Sequence, residues 1–258
     1  MSSIIRVLWG ADGPGQRFSR VWRRDIVKSC LKREDLTNYH VYIYGEDNYV
    51  NLLALGFTHV HLIDKRPFPS WADRRVKGMD IRPWRYKIEL IREAMKDHDR
   101  IIYCDWDVEV RVDAKDAFEM LEGRELVLSL VAYARPRKLW GRTVRNPEEA
   151  VWHPNRCCVS GNWMHIVGPD WPNQVLEEMD EGPAGKTVGW HDEYAMTKLL
   201  AQRHGGWPGE KYWLEHYESP LIVQKPFRCC WGMKVQNDEY VERETIVPFR
   251  WLYKFVPF

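Results

Sequence analysis

The sequence predicts an α/β fold, a single domain whose mixed, mainly parallel central sheet is flanked by helices. Three observations carry that expectation. Strand-like and helix-like patterns alternate over residues 4–63, as they do where parallel strands are joined by helices. A short apolar run, Arg100 to Cys104, ends in two carboxylates, Asp105 and Asp107. A helix with one apolar stripe leads straight into that run.

Taken in order, Ile4 to Trp9 reads as the first strand, and Gly10-Ala11-Asp12-Gly13-Pro14-Gly15 as a loop whose glycines let the backbone turn and approach a ligand. A helix is expected over residues 18–32. His40 to Tyr44 alternates like a strand, Tyr49 to Leu55 forms a short helix stopped by Gly56, and Thr58 to Ile63 alternates again. Ligands of such sheets sit beyond the carboxyl ends of the strands, where the glycine loop lies. It lacks the order of glycines that marks a dinucleotide or phosphate loop. Trp9 at its start is either core or a surface on which a base stacks.

Residues 64–82 read as a loop. Pro83 opens a helix in which Trp84, Ile88, Ile91 and Met95 form the buried stripe. Arg85 and Lys87 lie off it, either flanking a bound diphosphate or standing as surface cations. The strand that follows suits burial on both faces. Its period of two puts Asp105 and Asp107 on one side and Trp106 on the other, packed beneath. Paired carboxylate oxygens are hard ligands suited to Mg²⁺ or Mn²⁺.

Further on, Glu125 to Leu130 is a strand and residues 133–150 a basic loop. Cys158 to Val167 is a strand interrupted by Gly161, where a bulge or a ligand contact is expected at Ser160-Gly161. Asp170 caps a helix to about Asp180. Trp190-His191-Asp192-Glu193 precedes a helix carried by Tyr194, Met196, Leu199 and Leu200 and ended by Gly205-Gly206. Asp192 also fits an N-cap, and Glu193 a first-turn acid. No linker divides the chain, so residues 1–258 read as one domain.

A formal net charge of +1 over 258 residues gives no global preference for nucleic acid or membrane. Basic clusters at residues 17–33 and 135–145 could still meet phosphates locally. No run of about 18 apolar residues and no cleavable leader pattern appears, so a cytoplasmic protein with no transmembrane segment is expected. The six cysteines lack the spacing of a disulfide framework and read as reduced thiols. Most of the fourteen tryptophans belong to the core, and several suit a sugar or base surface.

The Asp-x-Asp pair, the Arg85/Lys87 cluster and Trp190-His191-Asp192-Glu193 share one explanation, a metal-bound diphosphate with a further carboxylate facing the reacting carbon. At these residues the sequence resembles the GT-A fold glycosyltransferases, whose domain is Rossmann-like. Pro83-Trp84-Arg85-Tyr86-Lys87 leading to Ile101 through Asp107 is similar to that family's donor helix and DxD strand. Val159-Ser160-Gly161-Asn162 is similar to its sugar-site strand. Trp190-His191-Asp192-Glu193 resembles the Trp-His-Asp-Glu of the retaining blood-group-type α-galactosyl and α-N-acetylgalactosaminyl transferases. The resemblance implies that Asp192 contacts the donor sugar, that Glu193 is the carboxylate below the anomeric carbon, and that Trp190 and His191 touch the acceptor. It implies donor contacts from Trp9, Gly10, Ala11, Arg85, Lys87, Asp105, Ser160 and Gly161. In the glycogenin-like family a histidine adds a third metal ligand before a Lys-Pro-Trp; His216 and Lys225-Pro226-Phe227 are the nearest counterparts, with Lys225 at the donor. Tyr194 stands where the blood-group branch has serine. The resemblance, carried by the motifs at 83–107 and 158–193, implies a nucleotide-binding half over residues 1–107 and an acceptor and sugar half over 108–258.

The implied activity is Mn²⁺- or Mg²⁺-dependent transfer of a sugar from a nucleotide-sugar, a UDP-hexose by resemblance, to an acceptor hydroxyl with retention. Two acceptors fit: a glycan or lipid precursor, or a 5-hydroxymethylpyrimidine in double-stranded DNA in a bacterial or phage-infected cell, with the basic segments on the backbone. A nucleotidyltransferase and a non-catalytic nucleotide- or nucleic-acid-binding module stay open as alternatives.

Overall fold

The computed structural model describes residues 2–8, 28, 31–32, 34–64, 75–76, 79–80, 82–106, 108–130, 137–139, 142–144, 159–181, 192–204, 213–216, 227–229, 233–236 and 239–242. Seven strands form the central sheet: β1 (Ser2–Leu8), β2 (Tyr39–Ile43), β3 (His59–Leu62), β4 (Arg100–Cys104), β5 (Leu126–Leu130), β6 (Val159–Val167) and β7 (Trp213–His216). Their order across the sheet is β3-β2-β1-β4-β6-β5-β7. Every neighbouring pair is parallel except those of β6, which runs antiparallel to both β4 and β5. The fold is thus the mixed, mainly parallel α/β arrangement expected.

Helices α1 (Glu46–Ala54), α2 (Arg82–Asp97), α3 (Ala114–Met120), α4 (Asp170–Glu181) and α5 (Asp192–His204) cover the sheet. Adjacent strand residues supply opposite cores, as the period of two requires. Ile5, Val7, Ile101 and Tyr103 join α2, α4 and α5 in one cluster, whereas Ile4, Ile102 and Cys104 join Leu52 of α1 and Phe118 of α3 in the other. Both faces of β4 are therefore covered, which is why it reads as a continuous apolar run. Cys104 is a buried free thiol. Helix α1 stops where Gly56 takes a φ of 101°, a conformation that costs a side-chain-bearing residue but not glycine. It starts earlier than the sequence pattern suggests, at Glu46.

Three expectations change. Residues 133–150, read as a loop, contain an antiparallel strand pair, Arg137–Leu139 with Arg142–Val144. The 64–82 segment likewise contains a two-residue pair, Arg75–Val76 with Met79–Asp80. Both are too short for alternation to reveal. The third concerns α2, which is buried on every side from Arg85 to Ile91. It packs on the sheet and also against α4 and α5, so a one-stripe reading underestimates it. Of the helix expected at 18–32, only Lys28, Leu31 and Lys32 fall among the described residues, and these are helical.

At the end of the sheet where β2 and β3 begin, His59, His40, His61 and Tyr42 stack face to face, with His98 edge-on to His40. The His40 Nδ1 to His61 Nε2 separation is 3.0 Å, and Tyr42 donates to Asp97 at 2.8 Å. Burial first, then the neighbouring imidazoles, lower the His40 pKa to about 4.

Candidate active site

Strand β4 delivers Asp105 to the carboxyl edge of the sheet, where the turn from Asp105 to Val108 closes through a Val108 N–H to Asp105 carbonyl bond of 3.1 Å. Buried Arg6 of β1 holds that turn from behind. Its Nη1 donates to the Asp105 carbonyl at 2.6 Å, and its Nη2 donates to the Val108 carbonyl at 3.1 Å. The same Nη2 pairs with Glu34 at 2.6 Å, whose other oxygen accepts from the Val110 N–H at 2.8 Å. The guanidinium lies over the rings of Tyr39 and Trp106. Trp106 packs under the edge as expected, its indole donating to the Val7 carbonyl at 2.8 Å.

Because β6 runs the other way, its beginning meets the ends of its neighbours. Asn162 accepts the Asp105 N–H through its carbonyl at 2.6 Å. The register against β5 jumps between Ser160 and Met164, so Gly161, Asn162 and Trp163 form a bulge beside Asp105. The bulge left open at Ser160-Gly161 is therefore real, and such bulges recur next to active sites. Ser160 pairs with Ser129 of β5 through its backbone. The Gly161 N–H donates to Glu193 Oε1 at 3.0 Å. A Cβ on Gly161 would stand 2.5 Å from Lys87 Nζ and 3.1 Å from Asp192 Oδ2, so the lack of a side chain there is what admits the pair.

Lys87 and Asp192 are the electrostatic centre. Their Nζ and Oδ2 are 2.8 Å apart and both side chains are buried. Burial alone lowers a lysine pKa, but Asp192, Asp105 and Glu193 outweigh it and leave the Lys87 pKa above its ordinary value. One ammonium thus faces the carboxylate at the end of β4 and the two that open α5. The N-terminus of α5 adds the positive end of its dipole. Asp192 is an ion-pair partner at the floor of the site and belongs to the helix itself.

Arg85 is buried as well and pairs with Glu89 at 3.1 Å and with Asp180 of α4. Neither Arg85 nor Lys87 is a surface charge, because α4 and α5 close over that side of the helix. Tyr103, which the sequence reading passed over, lies fully buried two residues before Asp105 and donates its hydroxyl to Asp105 Oδ1. Its ring stands 5.6 Å from Lys87 Nζ. The i, i+2 spacing was the available signal. Arg6 was also missed, since its guanidinium acts on the backbone carbonyls of Asp105 and Val108, and the part of Asn162 was not seen to be that of its backbone carbonyl.

His216 lies in β7 level with Leu130, as Val159 does on the other side of β5. It therefore reaches the same edge, three strand spacings or roughly 14 Å across from β4. Trp9, Gly10, Ala11, Asp107, Trp190, His191 and Lys225 lie outside the described residues. Among the described residues no group of three or more His, Cys, Asp or Glu converges as a ready-made metal cage. At the end of β4 the described edge supplies the half-buried carboxylate of Asp105, whose hard oxygens suit Mg²⁺ or Mn²⁺ held mostly by non-protein oxygens. No helix among the described residues is long and apolar enough to cross a membrane.

No protein-family model and no curated protein matches the chain. Among solved structures it is similar to the apo form of the glycosyltransferase GlyE of Streptococcus pneumoniae TIGR4, at a TM-score of 0.42 and 14% identity, over 83% of this chain. The chain spans 45% of that protein's length. A likeness of this order carries no argument about activity.

Proposed function

We propose that this protein transfers a sugar from a nucleotide-sugar donor, a UDP-hexose, to an acceptor hydroxyl. The observation that carries the proposal is the meeting, at one sheet edge, of Asp105, Lys87 and the Asp192-Glu193 start of α5 around the bare backbone of Gly161. Asp105, with Asp107 proposed as its companion ligand, would hold a divalent ion, and His216 is proposed as a further ligand reaching in from the far end of the edge. When bound, such an ion neutralises the departing diphosphate.

The chain's own residues do the rest. Lys87 keeps a fixed positive charge between the leaving-group end and the sugar end, so donor charge meets a preorganised field. Asp192, anchored by Lys87, orients the sugar. Glu193, half-buried and steadied by the Gly161 N–H, is the carboxylate that faces the anomeric carbon and supports transfer with retention.

The test is incubation with Mn²⁺ and a panel of UDP-sugars, reading UDP release and, with hydroxymethylated DNA or small glycosides present, the glycosylated product. Asp105→Asn and Glu193→Gln should each lower turnover by about 10²–10³-fold. Release of pyrophosphate or a nucleoside monophosphate instead of UDP would establish nucleotidyl transfer. If no UDP-sugar is bound or hydrolysed with metal present, the proposal fails.

A further inference from the structure

Tyr103 is a titratable side chain beside the edge that the proposed reaction leaves unused. It is fully buried on the face covered by α2, α4 and α5. Strand geometry puts residues 103 and 105 on the same side, and the phenol spans the gap to donate to Asp105 Oδ1. The phenol O–H is the donor in that bond, since an ionised carboxylate only accepts. The Asp105 backbone is fixed independently, its N–H by the Asn162 carbonyl and its carbonyl by Arg6. The phenol then fixes one oxygen of the carboxylate.

Resting on the glycosyl-transfer reading, we infer that Tyr103 is a positioning residue that orients the Asp105 carboxylate for a divalent cation. With Oδ1 engaged by a charge-assisted hydrogen bond, the carboxylate would present its remaining lone pairs to an ion in a fixed orientation. Partners of this kind behind a metal ligand commonly contribute tenfold or more to metal affinity. The proximity of the Lys87 ammonium, 5.6 Å from the ring centroid, adds a second constraint by holding the ring face against α2.

The experiment is Mn²⁺ titration followed by electron paramagnetic resonance, with UDP present, on the wild type, Tyr103→Phe, Asp105→Asn and the double variant. Tyr103→Phe should weaken Mn²⁺ binding by about tenfold, with metal-free UDP affinity and the melting temperature near wild type. In the Asp105→Asn background it should change Mn²⁺ affinity no further. Wild-type Mn²⁺ affinity in Tyr103→Phe, with Asp105→Asn impaired, would overturn the role of Tyr103 and leave the donor clamp standing. If the wild type binds no Mn²⁺ in the presence of UDP, both fall. A weakening that persists in the Asp105→Asn background would show that the phenol acts elsewhere, and would also overturn the inference.

Discussion

Replacing Gly161 by alanine tests the closest packing in the site. The new Cβ would stand 2.5 Å from Lys87 Nζ, 3.4 Å from Lys87 Cε and 3.1 Å from Asp192 Oδ2. Restoring ordinary contact of about 3.5 Å needs Nζ to retreat by roughly 1 Å. A lysine terminus on open surface would do so cheaply. Here Nζ is tied at 2.8 Å to a carboxylate that is itself fully buried at the start of α5, so the retreat stretches an ion pair that has no water to replace it. Overpacking of this size costs about 1–3 kcal/mol, and full rupture of a buried pair about 3–5 kcal/mol. The smaller range corresponds to a fall in melting temperature of roughly 2–12 °C for a chain of this length. Donor turnover should suffer more, about 10²-fold, because displacement of a positioned charge by an ångström weakens its transition-state contacts. Thermal melting and UDP release with Mn²⁺ measure the two effects. An alanine variant with wild-type melting and turnover would show that Lys87 and Asp192 are not locked beneath Gly161.

Two further perturbations probe the supports of the site. Glu34→Gln removes the charge opposite buried Arg6 while keeping the shape; it should destabilise by about 3 kcal/mol and lower UDP affinity in Mn²⁺ through the Asp105 turn, and retention of both would show the turn is held otherwise. Acid is the second. His165 is buried, its Nε2 accepting from Arg100 at 2.9 Å. Burial first and then the Arg100 charge lower its pKa to about 4, and His40 lies equally low. Both bind protons in the unfolded chain near the ordinary value of 6.5 but stay neutral when folded. The unfolded state therefore takes up more protons in that interval, and stability should fall as the pH drops from about 6.5 towards 4. Urea melts across that range, repeated on His165→Gln, should show the loss and a shallower slope in the variant; a flat wild-type profile would refute it.

The parts of the fold visible in the sequence are those whose cause is local. Ile4-Ile5 and Ile101-Ile102 declare strands covered on both sides because each residue type answers to its own pleat. Gly56 declares the end of α1 because its φ demands it. Asp105 was legible as the terminus of β4, since an ionised carboxylate directly after an apolar run suits the end of a strand and not its buried middle. The partnership of Lys87 with Asp192 was not, because the two are brought together by the packing of α5 against α2 and by a bulge in β6 that has no periodicity of its own. Whether Arg85 and Lys87 flank a ligand or face solvent stayed open in the sequence for the same reason, as a stripe on a helical wheel records one packing partner and α2 has several. Tyr103 hid among apolar neighbours, where a phenol passes for another core ring.

The reversed direction of β6 decides where variation in this protein would change its chemistry. In an all-parallel sheet every strand hands the chain outward at the ligand edge, so the loops that follow strands are the ones to diversify. Strand β6 instead receives the chain there and releases it at the far side, through Gly168 into α4. For anyone altering the substrate range, a library spent on the turn right after Val167, around Gly168, would remodel the back of the molecule. The productive place is the approach to Val159, together with the bulge itself, where lengthening or reshaping the chain alters what meets Asp105 while the ladder from Met164 to Val167 keeps the scaffold in register.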